Sequence, residues 1–215
     1  MANQATQRKL KTAAAPAVQT RRVSALAHVM RYGRFGADHE GGPGVTLGLR
    51  HPVSIATVIA RKGKARALSG ALSDGFGFAT PAPGRSEGAR GASIQWAGPE
   101  HWFVVREDER DGALYNDLAD KLDGFASVSD QSHGRVIISM SGARVRDVLA
   151  KGTPVDFHPR VFDEGDCAIT QMAHVGVHIT QTGEDAFEIS LFRGFAESFW
   201  EWLTEMSLEF GYEVV

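Results

Sequence analysis

The chain has 215 residues, 43% of them hydrophobic and 23% charged, with a net charge of −3 and a pI of about 6.2. A chain of this length buries roughly 70% of its unfolded surface without staples, and its mild acidity argues against nucleic acid or an anionic membrane as the main partner. The single cysteine, Cys167, excludes an intramolecular disulfide and fits a reducing compartment.

Residues 1–22 carry Arg8, Lys9, Lys11, Arg21 and Arg22 and no acid. They read as a flexible basic arm without the apolar centre of a secretory signal. Residues 24–35 (SALAHVMRYGRF) predict a short helix with Ser24 as N-cap. Residues 45–60 predict two strands broken at His51–Pro52, because proline cannot donate to a ladder. Their apolar run, residues 55–60, is far short of a membrane span. Ala67, Leu68, Ala71 and Leu72 have helical spacing, ended by Asp74–Gly75. Residues 80–91, rich in glycine and proline, read as a flexible loop. Residues 92–105 (ASIQWAGPEHWFVV) form a hairpin that turns at Gly98–Pro99. Leu114, Leu118 and Leu122 mark a helix stopped at Gly124.

The second half opens with a strand around Val128 and a longer one at residues 135–142 (RVIISMSG). Ser141 or Gly142 caps a helix that buries Val145, Val148 and Leu149 and stops at Gly152. Residues 167–192 predict three strands, the middle one alternating through Ala173, Val175, Val177 and Ile179. Phe195, Phe199, Trp202, Leu203, Met206 and Phe210 form the apolar stripe of a C-terminal helix. The halves rhyme: each runs strands, helix, hairpin, helix. The expected fold is therefore α+β, a duplicated unit with mostly antiparallel sheets and packed helices. Residues 23–215 should form one domain of two pseudo-repeated halves, about 45–124 and 125–212.

Three chemical readings fail on the residues. His101, His133, His158, His174 and His178 are candidate metal ligands. Yet His174 and His178 on a strand lie roughly 13 Å apart, and neither an HExxH nor a cysteine pair occurs. Asp130, Ser132 and His133 suggest a nucleophile, but neighbours on a strand point to opposite faces, and no GxSxG elbow is present. The glycines of residues 75–84 (GFGFATPAPG) match no phosphate loop. The bland reading of residues 130–135 (DQSHGR) is a structural turn in which Asp130 takes backbone amides, Ser132 caps and Arg135 pairs with an acid. Trp96, Trp102, Phe157, His158, Arg160 and Phe162 fit either buried core or interface anchors.

In order, these stretches carry W-x-G-P-x-x-W (96–102), D-x-S-x-x-R (130–135), S-G-x-x-x-R (141–146), L-x-K-G (149–152) and D-x-H-P-R-x-F (156–162). An Arg-led aromatic helix follows. The series resembles the gamma subunit of heterotetrameric sarcosine oxidase over about residues 22–210. It departs in residues 141–149 (SGARVRDVL), where an S-G-P-type start is common, and in its longer basic arm. The resemblance implies a fold like the folate-binding domain of the glycine-cleavage T-protein. It implies a cytoplasmic complex with alpha, beta and delta subunits, this chain meeting alpha most directly. That complex oxidatively demethylates sarcosine to glycine, with hydrogen peroxide and formaldehyde, or 5,10-methylenetetrahydrofolate when tetrahydrofolate is the acceptor. FAD, FMN and NAD would sit in alpha and beta and zinc in delta, with no cofactor and no catalytic residue in this chain. A subunit of an N-methylglutamate dehydrogenase-type complex would read almost the same. A freestanding tetrahydrofolate-dependent one-carbon transferase is the rival enzyme reading. Asp130, Ser132 and Arg135 are then expected to fix the start of the second half. Phe157, His158, Arg160 and Phe162 should support a loop near the alpha contact.

Overall fold

A computed structural model describes residues 22–89, 91–107 and 110–215; the basic arm, up to Arg21, lies outside them. Two sheets face each other, each with helices on its outer side. The smaller has the order β4-β5-β6-β3-β7, from β3 (Ser54–Ala60), β4 (Ser86–Ala89), β5 (Ala92–Gly98), β6 (His101–Arg106) and β7 (Ala126–Asp130). The larger has the order β1-β12-β2-β8-β11-β10-β9. Its strands are β1 (Gly33–Phe35), β2 (Val45–Leu49), β8 (Arg135–Ser141), β9 (Cys167–Met172), β10 (Val175–Gly183), β11 (Ala186–Phe192) and β12 (Tyr212–Val214). All pairings are antiparallel except β12 with β2. The fold is thus α+β with mostly antiparallel sheets.

Strand period 2 sorts the side chains. On the smaller sheet Ala56, Val58, Ile94, Trp102 and Val104 face outward. There they pack with Leu68 and Leu72 of α1 (Ala65–Phe76) and Leu114 and Leu118 of α2 (Ala113–Lys121). On the larger sheet Val136, Ile138, Met140, Val177, Ile179, Phe187 and Ile189 pack against α3 (Val145–Ala150) and α4 (Ala196–Ser207). Between the sheets the apolar layer is thin: Val53, Ile55, Val105 and Ile137, with Phe103 beside them. The rest of that layer is polar.

The two sheets exchange strands reciprocally. β2 leads into β3 but pairs with β8 of the other half; β7 leads into β8 but pairs with β3. The chain therefore crosses between sheets twice, at residues 50–53 and at residues 131–134. Each sheet contains strands from both halves of the chain.

Several expected elements differ. Residues 24–30 make a single turn, with the Leu26 N–H bonded to Ser24 Oγ and the Met30 N–H to the Leu26 carbonyl. The chain then extends into β1, whose glycine at φ 121° breaks any helix. Strand β4 occupies the segment read as a loop, its Gly88 pressed so close to Ala92 and Ser93 that no side chain fits. α1 runs past Asp74–Gly75 to Gly77, which is left-handed. Ala173 and His174 are not in a strand: both have positive φ and form the β9–β10 turn. The buried stripe of α4 uses Trp200, while Phe195 is exposed. β12 was missed because three residues carry too little periodicity.

Candidate functional site

Each motif residue can be placed, and most are committed to holding backbone. Gly98 and Pro99 turn the β5–β6 hairpin, in which Trp96 lies opposite Trp102. Trp102 is core; its indole Nε1–H reaches the Pro81 carbonyl at 3.5 Å. Asp130 and Ser132 tie the two crossovers together. Asp130 Oδ1 accepts from the Ser132 N–H at 2.9 Å and from Ser132 Oγ at 2.6 Å. Ser132 Oγ in turn accepts the Ile55 N–H of β3 at 3.1 Å, and the Gln131 N–H donates to the Ile55 carbonyl at 2.8 Å. Each such bond contributes about 1 kcal/mol net. His133 points elsewhere, its Nε2 lying 3.2 Å from Asp111. The serine and histidine are therefore engaged separately.

Arg135 does not pair with an acid. Its Nε and Nη2 donate to Ser190 Oγ and the Ser190 carbonyl at 3.0 and 3.1 Å. The guanidinium is sandwiched between the rings of Phe103 and Phe192, each centroid 4.7 Å away. Burial lowers its pKa to about 10, so it stays charged at neutral pH.

The S-G-x-x-x-R element has two jobs. Gly142 has φ 120°, and a Cβ there would come within 2.5 Å of the Gly44 carbonyl. Arg146 is the residue that sequence reasoning passed over. Its Nε donates to Asp185 Oδ1 at 3.0 Å, its Nη2 to the Glu184 carbonyl at 2.6 Å and its Nη1 to the Phe157 carbonyl, over the Phe187 ring. The arginine closing the S-G-x-x-x-R series at 141–146 was the available signal. Phe157 and Phe162 are buried, and with Phe187 they make a three-ring cluster. His158 and Arg160 are exposed and shape the loop locally. Asp156 Oδ1 accepts the His158 N–H at 2.9 Å, and His158 Nδ1 accepts the Arg160 N–H at 3.2 Å.

Two titratable groups lie between the sheets. His178 Nε2–H donates to the Trp96 carbonyl at 2.9 Å, a tautomer fixed by the acceptor. Burial first, then the charge of Arg135, lower its pKa to about 4. His101 is lowered too, by burial and then Arg135, and its Nε2 has no partner among the described residues. Burial raises the Cys167 thiol to about 11, which makes it a poor nucleophile. Among the described residues no three His, Cys, Asp or Glu side chains gather as a metal site.

The inter-sheet space opens at one end into a cleft of about 690 Å³. Gln95, Thr180, Gln181, Ser139, Glu188 and Arg50 are among its lining. Arg50 bridges Glu188 at 3.0 Å and Glu107 at 3.7 Å. The Gln181 amide nitrogen is held by the Gly183 and Glu184 carbonyls.

A family model described as "Sarcosine oxidase, gamma subunit family" matches residues 62–209. The chain belongs to the sarcosine oxidase gamma subunit family. Among curated relatives, the gamma subunit of sarcosine oxidase from Arthrobacter sp. is 29% identical over 57% of this chain and 60% of its own length. The corresponding subunit from Corynebacterium sp. strain P-1 is 30% identical over 58% and 61%. The matched segment thus spans about three fifths of those relatives. A solved heterotetrameric sarcosine oxidase from Corynebacterium sp. U-96, in complex with pyrrole 2-carboxylate, contains a chain matching 88% of this one and 96% of its own length. Its TM-score is 0.74 at 27% identity. The aminomethyltransferase T of the glycine cleavage system from Bartonella henselae shares the fold, with TM-score 0.59 and 18% identity over 81% of this chain and 48% of that one.

Proposed function

We propose that this chain is a non-catalytic structural subunit of a heterotetrameric sarcosine oxidase, acting in sarcosine catabolism and one-carbon metabolism in the cytoplasm. The complex would oxidise the N-methyl group of sarcosine, giving glycine, hydrogen peroxide and formaldehyde, or 5,10-methylenetetrahydrofolate when tetrahydrofolate is present. FAD, FMN and NAD would belong to alpha and beta and zinc to delta, with alpha the direct neighbour of this chain.

The observation that carries this reading is the match of nearly the whole chain to one chain of a solved heterotetrameric sarcosine oxidase. The site geometry supports it. Ser132, Asp130 and Arg146 hold backbone or neighbouring side chains, and Cys167 is buried and protonated. No helix among the described residues is long and apolar enough to cross a membrane.

The test is coexpression of the tagged chain with alpha, beta and delta subunits. Coelution of flavin absorbance with sarcosine-dependent peroxide production supports the proposal. Flavin without sarcosine turnover, but with turnover of N-methylglutamate, would reassign the complex. A solitary, colourless chain that binds tetrahydrofolate would favour the one-carbon transferase.

A further inference from the structure

The twin crossover carries a notch of about 20 Å³, room for one small polar group. Arg22, Arg50, Arg135, Arg193, His51 and His133 line it, and among the described residues none of its lining is acidic. Some of this charge is answered from outside the notch. Asp111 lies 2.9 Å from Arg22 and 3.2 Å from His133, and Glu188 lies 3.0 Å from Arg50. Two cations are answered only by neutral groups. Arg135, 8% exposed, uses Nε and Nη2 on Ser190, and its Nη1 has no partner among the described residues. Among the described residues the Arg193 guanidinium meets only the Val23 carbonyl, at 3.3 Å. The buried Arg135 charge without a counter-ion is unfavourable, so an anion beside it, within reach of the exposed Arg193, is stabilised.

The rim is apolar. Phe192 and Phe195 are each 52% exposed and Val23 59%. Val23 accepts from Arg193, Phe192 stacks on Arg135, and Phe195 ends the 3-10 turn that Arg193 opens. Single exposed apolar residues are ordinary. Three large ones beside an unanswered pair of arginines have the make-up of an interface, where aromatic and arginine anchors are enriched.

Charge decides the occupant. Residues 1–21 carry Arg8, Lys9, Lys11 and Arg21 and no acid, so that segment is repelled. A second copy in a two-fold dimer centred on the notch would set arginine facing arginine. A free anion would neutralise Arg135 and leave the rim in water.

We propose that the notch and its rim dock a segment of a partner subunit carrying a carboxylate beside an apolar side chain, the carboxylate meeting Arg135 and Arg193. This rests on the subunit reading above. The test uses the coexpressed complex captured through a tag on this chain, in wild type and in Arg193→Glu, Phe195→Ser and Arg66→Glu variants. Arg193 and Phe195 are exposed, so neither change empties a core position. Arg66, exposed on α1, controls for charge reversal elsewhere. The expected result is an about tenfold fall in flavin recovered per tagged chain for Arg193→Glu and for Phe195→Ser, with Arg66→Glu matching wild type. Recovery of both notch variants at the wild-type level overturns the docking surface while leaving the subunit reading intact. A wild-type chain that captures no flavoprotein overturns both. A wild-type dimer in isolation that Arg193→Glu splits would give the surface to a second copy and overturn the proposal.

Discussion

His178 should make this protein acid-sensitive in a way that one substitution removes. Its ring is 2% exposed, lies between Phe103 and the Trp96 carbonyl, and is faced by Arg135 and His101. The folded protein holds it neutral down to about pH 4, against an ordinary value of 6.5. The unfolded chain binds a proton below pH 6.5 and the folded chain does not. Stability from this group is therefore complete above pH 6.5 and is lost as pH falls towards 4. One pH unit between those limits is worth about 1.4 kcal/mol, so the loss between pH 7 and pH 5 is about 2 kcal/mol. Urea unfolding of the full chain at both pH values measures it. His178→Asn lowers stability at pH 7 but should lose about 2 kcal/mol less than wild type on acidification, because asparagine does not titrate. An equal loss in both proteins would show that the imidazole is not buried as a neutral group.

Phe187 is fully buried and touches Phe157, Phe162 and Arg146; Phe187→Ala should cost about 3–5 kcal/mol, read as a fall in unfolding midpoint at unchanged m-value. Two glycines should respond with opposite sign. A Cβ on Gly152 would meet Met172 Cγ at 2.7 Å, whereas one on Gly70, inside α1, meets nothing within 4 Å. Thermal unfolding should show Gly152→Ala destabilised by about 1–3 kcal/mol and Gly70→Ala stabilised by up to about 1 kcal/mol. The reciprocal strand exchange should make residues 22–215 unfold as one unit. Fluorescence of variants keeping Trp102 alone or Trp200 alone should follow far-ultraviolet circular dichroism at one midpoint; separated midpoints would mean that the halves are independent.

The fold class and most strands and helices could be read from the sequence because residues 54–60 and 135–141 are short β-branched apolar runs and period 3.6 is strong in residues 65–76. The strand exchange could not be read. β2 and β7 carry ordinary alternation, and nothing local says that each pairs outside its own half. β1 and β12 are three residues each and are held by pairing rather than pattern. The motif residues were visible, but the role of Arg135 was not. Arg135 was expected to find an acid. Its partners are two aromatic rings and a serine brought in from 55 residues away, a contact that exists only in three dimensions. The Phe157 and Phe162 rings were open between core and interface, and their burial against Phe187 depends on Arg146 holding the loop.

Native mass spectrometry of the coexpressed assembly tests the central claim most directly. The account predicts a species containing this chain together with flavin-bearing subunits, and no flavin mass on this chain when the assembly is dissociated. A free chain carrying its own cofactor, beside an assembly complete without it, would contradict the account.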